Sequence, residues 1–225
     1  LTMEGDLAEK MLDGAHLFMD RKLSESLTRK KKVPGDRKEL ARILGATDNR
    51  LPFKEPEPVN SITQPGRGGS SSNYEILAIR WPVLDGVSGE GLLLQPLKND
   101  PLANVVAIPD ADQSPEEFVG LVEGTAQQSQ LARRLAESGC RVIVPVLIDR
   151  EIRAQSPRRQ RVKMSNREFL HRPASLMGRT LQGYEIQKVL ALVDWLEKYT
   201  EPIGLAGWGE GGMLAFRAAA LDPRV

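Results

Sequence analysis

The run GWGEGG at residues 207–212 follows the apolar run IGLA. It matches the pattern G-x-S-x-G-G at every glycine, and that pattern serves acyl-transfer chemistry. The serine of such a motif sits on a strained strand-to-helix turn, and the backbone N–H just after it receives an oxyanion. Residues two before and two after the tip must be small, because larger side chains clash with the adjacent strand or helix. Gly207 and Gly211 meet this need, and Gly212 lets the helix approach the strand. The tip itself is Gly209, which has no side chain to attack a carbonyl. The N–H of Glu210 takes the oxyanion position. A plainer reading is also open, in which the glycines only make a tight turn. Shifting the register by one makes Glu210 a carboxylate nucleophile. That register places the bulky Trp208 two residues before the tip, where a ring clashes.

Other chemistry-bearing residues are few. Asp110, Ala111 and Asp112 lie in PDADQ, directly after an apolar run. Their carboxylates and that of Glu210 can face one crevice at the carboxyl ends of the strands. There they would repel a developing oxyanion, whereas a catalytic site needs preorganised donors. The same three carboxylates are hard oxygen ligands that a cation could use, but no metal site is assigned. Glu210 at a helix start is also favourable for the helix itself. His171, Arg172 and Arg179 sit in a segment read as a loop before a long helix, and that segment can overhang the crevice. His171 and Arg179 are therefore crevice candidates, with Trp208 at its mouth. Trp81, Trp195 and His16 read as structural.

These residues need elements to position them. YEILAIRW (74–81) alternates as a half-exposed strand, and GLLLQPL (91–97) returns after turn signals at Asp85-Gly86 and Ser88-Gly89. NVVAIP (104–109), RVIVPVLI (141–148) and residues 203–206 are short continuous apolar runs, the mark of strands buried on both faces. Helices are expected at 115–138, 181–199 and 211–221, with an arginine-rich polar loop at about 149–166. Strand-helix alternation after a hairpin implies a mixed sheet covered by helices. Residues 1–50 read as a helical extension, broken after RKKK (29–32) by Val33-Pro34-Gly35, with a short helix at about 37–44. Residues 51–73 are dense in proline, glycine and serine and read as a mobile linker. The domain carrying the chemistry is then 74–225.

The chain has 225 residues, of which 40% are hydrophobic and 27% charged, enough for a sizeable core. Its 31 basic and 30 acidic residues leave a net charge of +1, so charge argues for neither a nucleic-acid nor a membrane partner. Cys140 alone cannot form an internal disulfide, and 2 histidines make a histidine-rich metal site unexpected. No apolar run approaches the ~18 residues of a membrane span. The sequence opens on Leu1 with no signal peptide, so processing, excision from a longer chain and export stay open.

The segments RWPVLDGVSGEGLLLQPL, VVAIPDADQ, CRVIVPV and GRTLQGYEIQKVLALVDWLEKYTEPIGLAGWGEGGMLAFRAAALDPRV together resemble the α/β-hydrolase superfamily. The likeness is to its acetyl xylan esterase and dienelactone hydrolase-like branch, over residues 74–225. The resemblance implies a three-layer α/β fold: a mostly parallel sheet with an N-terminal antiparallel hairpin and helices on both faces. It implies carboxyl-ester hydrolysis on acetylated carbohydrates or similar esters, without a cofactor. It places the catalytic serine at Gly209 and the oxyanion donors at the Glu210 N–H and the Pro109–Gln113 loop. In that fold the acid and histidine follow the nucleophile, and only 213–225 follow here, without histidine. They are expected beyond the chain end, with further polypeptide completing the sheet beside 203–206. The alternative is a non-catalytic carbohydrate-binding or scaffold module derived from the same fold.

Overall fold

A computed structural model describes residues 6–28, 36–59, 67–152 and 164–225. The basic run 29–32, its break at 33–35 and much of the arginine-rich loop lie outside the described residues. The chain divides into two units, Leu1–Asp36 and Arg37–Val225. The first contains helix α1 (Leu7–Thr28). Asp6 caps it by accepting the Ala8 N–H at 2.8 Å.

The second unit is built on one sheet. Its strands are β1 (Glu57–Pro58), β2 (Arg67–Ser70), β3 (Tyr74–Leu84), β4 (Val87–Pro96), β5 (Asn104–Ile108), β6 (Arg141–Pro145) and β7 (Ile203–Gly207). The order is β1-β3-β4-β6-β5-β7, with β2 also on the outer edge of β3. β5 pairs in parallel with both β6 and β7, and the pairings on the β3–β4 side are antiparallel. This is the mixed sheet expected of the α/β-hydrolase fold. Its antiparallel part is wider than one hairpin, because β1 and β2 come from the stretch read as a linker.

Alternation along the strands sends side chains into two helical layers. Leu93, Val106, Ile108 and Ile143 pack on one face, with helices α2 (Arg37–Leu44), α6 (Leu181–Leu196) and α7 (Glu210–Leu221). Leu92, Leu94, Ala107, Val142 and Val144 pack on the other, with α3 (Pro115–Phe118) and α4 (Leu131–Glu137). α6 is buried nearly all round, Glu185 and Gln187 included, because its inner face meets the sheet while α2 and α7 cover its flanks.

Three expectations are corrected. The helix expected over 115–138 is two helices and a single 3₁₀ turn at Gln127–Ser129. The Ser114 capping box with Glu117 starts α3, left-handed Gly120 (φ 76°) ends it early, and left-handed Gly124 (φ 82°) follows in the connection. His171 lies in helix α5 (Asn166–Leu176), not a loop, although Pro173 stands inside that helix. Finally, Pro/Gly density at 51–73 did not make the whole stretch a free connector. Besides β1 and β2, Phe53 stacks on Trp195 at 6.4 Å, and Arg50, just before the stretch, forms a two-pronged ion pair with Asp194. Trp195 Nε1 also donates to the Lys54 carbonyl at 3.1 Å.

Candidate functional site

The run GWGEGG forms the junction between β7 and α7. The ladder from β5 continues one residue past β7, where the Trp208 N–H donates to the Ile108 carbonyl at 3.2 Å. The backbone then reverses at Gly209, with φ 55° and ψ −123°. Side-chain-bearing residues rarely adopt that conformation. The flanking glycines meet the packing need seen in the sequence. A Cβ on Gly207 would stand 2.4 Å from the Gly211 backbone, and one on Gly211 would stand 2.2 Å from the Ile108 carbonyl oxygen.

Asp110, two residues beyond β5, reaches across this turn. Its Oδ1 accepts the Glu210 N–H at 2.9 Å. A Cβ on Gly209 would lie 2.8 Å from both Oδ1 and Cγ of Asp110. The Glu210 N–H holds the Asp110 carboxyl below the usual aspartate range, helped by the Ala111 N–H and then by Arg150 and Arg167. The donor assigned to an oxyanion is thus occupied by an internal carboxylate.

The Glu210 side chain faces two arginines that the sequence reading did not single out. Arg167, in the first turn of α5, donates to both carboxylate oxygens, through Nη1 to Oε2 at 2.7 Å and through Nη2 to Oε1. Arg150, in the loop after β6, donates to Oε2 at 2.8 Å. Both Glu210 and Arg167 side chains are largely buried, at 12% and 14% exposure. Hydrogen bonding from Arg167 depresses the Glu210 carboxyl below the usual glutamate range, with Arg150 adding to it. Arg150 also donates to Asp112 and lies 3.9 Å from Asp110 Oδ1. Asp110, Asp112 and Glu210 therefore do converge, but around the Arg150 guanidinium. Among the described residues no group of three His, Cys, Asp or Glu is placed to hold a metal ion.

The remaining candidates disperse. Trp208 is 72% exposed beside the turn. His171 lines a shallow depression of about 510 Å³ with Arg167, Glu168, Thr180, Leu181 and Gln182. A second depression, of about 560 Å³, is bordered by Ala111, Asp112 and Arg150. Arg179 instead grips Asp48 through Nε at 2.6 Å and through Nη2, tying α6 to the segment after α2. Arg172 pairs with Glu168 one turn back in α5. The site is an internally paired ionic cluster at the strand ends, with no side chain at its tip. Arg150 and Arg167 carried no local signal: they gain meaning only once folding brings residues near 110, 150, 167 and 210 together.

No family model matches this chain, and no curated protein matches it. Solved structures do. A Bacteroides fragilis protein classed as an acetyl xylan esterase superposes with a TM-score of 0.60 at 14% identity, over 84% of this chain and 50% of that protein. Acetyl xylan esterase 1 of a Thermoanaerobacterium species gives 0.53 at 15% identity, over 85% and 56%. The glucuronoyl esterase of Solibacter usitatus gives 0.50 at 16% identity, over 89% and 57%. The chain thus has the α/β-hydrolase fold found in these esterases, and it spans little more than half of their length.

Proposed function

We propose that this chain is an esterase-like α/β-hydrolase polypeptide, related to enzymes of acetylated carbohydrate or similar esters, whose turn at Gly209 does not perform serine-type ester cleavage. The turn is a nucleophile elbow in form. One observation carries the reading: at the tip, where the backbone takes φ 55° and ψ −123°, the residue is glycine. Residue 209 itself therefore offers no hydroxyl to form an acyl intermediate. The neighbouring Asp112 and Glu210 carboxylates are committed to Arg150 and Arg167, so among the described residues neither stands over the tip as an unpaired general base. Release of 4-nitrophenol from 4-nitrophenyl acetate and of acetate from acetylated xylan tests this. The purified chain is expected to match the buffer rate with both. Saturable turnover by the unmodified chain would overturn the reading.

The exposed Trp208 supports a second reading, in which the crevice mouth holds a carbohydrate without cleaving it. An exposed indole face can stack on a sugar ring. Titration of tryptophan fluorescence with acetylated xylo-oligosaccharides should then saturate in the unmodified chain and fail in Trp208→Ala. A flat titration in both removes this reading.

A further inference from the structure

We propose that the Asp110 carboxylate is a built-in plug of the turn, filling the space of a side chain at position 209 and taking the backbone donor that an external oxyanion would otherwise reach. The inference rests on reading the turn as a nucleophile elbow, and it adds a second block independent of the missing serine.

Three observations converge. The Glu210 N–H already donates to Asp110 Oδ1 at 2.9 Å. The Cγ and Oδ1 atoms of Asp110 lie 2.8 Å from the point where a Cβ on residue 209 would stand. Asp110 is also fixed from both sides: Trp208 N–H holds the Ile108 carbonyl at 3.2 Å, and Gln113 N–H holds the Asp110 carbonyl at 3.0 Å. A tethered carboxylate meets these donors at a far higher effective concentration than any solute anion. Its charge further repels a second anion approaching the same N–H. Glycine at 209 and aspartate at 110 are therefore matched: a side chain at 209 requires Asp110 to swing away and give up its bond to Glu210. Arg150 and Arg167 lock the Glu210 side chain beside it, so the helix start cannot easily shift to make room.

The test needs no ester turnover. In the full chain carrying Cys140→Ala, Gly209→Cys is compared with and without Asp110→Ala. Iodoacetamide alkylates the thiolate, with sulfur displacing iodide. With Asp110 present, crowding and like charge keep the introduced thiol sluggish. With Asp110→Ala the rate at neutral pH rises at least about tenfold, as the helix start lowers the thiol pKa. Rates within about twofold of each other would overturn the proposal. Should Gly209→Cys fail to fold, backbone amide NMR of Asp110→Asn, Asp110→Ala and the unmodified chain decides the matter. The Glu210 and Ala111 amide protons should move upfield in Asp110→Asn. In Asp110→Ala the Glu210 amide should respond saturably to acetate, while the unmodified chain does not respond. Unchanged amides in Asp110→Asn, or equal acetate responses, would overturn it. Ester turnover by the unmodified chain would sink the functional reading and leave these results standing.

Discussion

Removing Arg167 should loosen the junction of β7 and α7 measurably. Arg167 makes two charge-assisted hydrogen bonds to Glu210, and the two side chains are only 14% and 12% exposed. Hydrogen bonds to charged groups contribute about 1.5–3 kcal/mol each. Breaking a fully buried pair costs about 3–5 kcal/mol. Here Arg150 still holds Glu210 Oε2 at 2.8 Å, so the loss should fall to roughly 2–3 kcal/mol for Arg167→Ala. That lowers a urea midpoint by about 1 M for a domain of this size. The pH dependence follows from the depressed Glu210 carboxyl, whose first cause is the Arg167 hydrogen bond. A carboxyl held below its unfolded value stabilises fully above that value, and the contribution is lost as pH falls through the folded value. The gap between the unmodified chain and Arg167→Ala should therefore be widest near neutrality and narrow at about pH 3. Urea titrations at both pH values measure it. A gap under about 0.5 kcal/mol at neutral pH, or one that does not narrow in acid, would show that Arg167 contributes packing rather than charge.

Three other substitutions separate close backbone approach from open surface. Gly211→Ala drives a Cβ to 2.2 Å from the Ile108 carbonyl oxygen and should cost more than about 3 kcal/mol or abolish folding, read as loss of the cooperative urea transition. Gly212→Ala meets only the Gly207 carbonyl, its oxygen at 3.2 Å and its carbon at 3.6 Å, and gains helix propensity, so its stability should stay within about 1 kcal/mol of the unmodified chain. Trp208→Ala removes a side chain that is 72% exposed. It should change stability by no more than about 0.5 kcal/mol while removing the tryptophan component most accessible to acrylamide quenching.

Periodicity made the sheet legible. The alternation in 74–81 and the apolar runs at 104–109, 141–148 and 203–206 each became a strand. The glycine spacing of GWGEGG located the reversal at Gly209, because close backbone contacts leave a compositional trace. Other features left none, or a misleading one. Pro/Gly density disguised β1 and β2, which as edge strands need to pair on one side only. Pro173 disguised α5, which runs on through it to Leu176. The ionic cluster was half legible. Asp110, Asp112 and Glu210 could be placed at the carboxyl ends of parallel strands by topology alone. Their partners Arg150 and Arg167 flank the arginine-rich stretch of the sequence, where no hydrophobic period fixes direction. The sequence leaves a cation site open at these carboxylates without assigning one, and the charge they face is the protein's own guanidinium.

Covalent capture tests the central claim most directly. The unmodified chain is incubated with a fluorophosphonate that phosphonylates nucleophilic serines, and its intact mass and peptide map are read. With glycine at the tip and Asp110 over it, the mass should remain that of the untreated chain. A stoichiometric adduct on a serine, above that of the urea-unfolded control, would contradict the account.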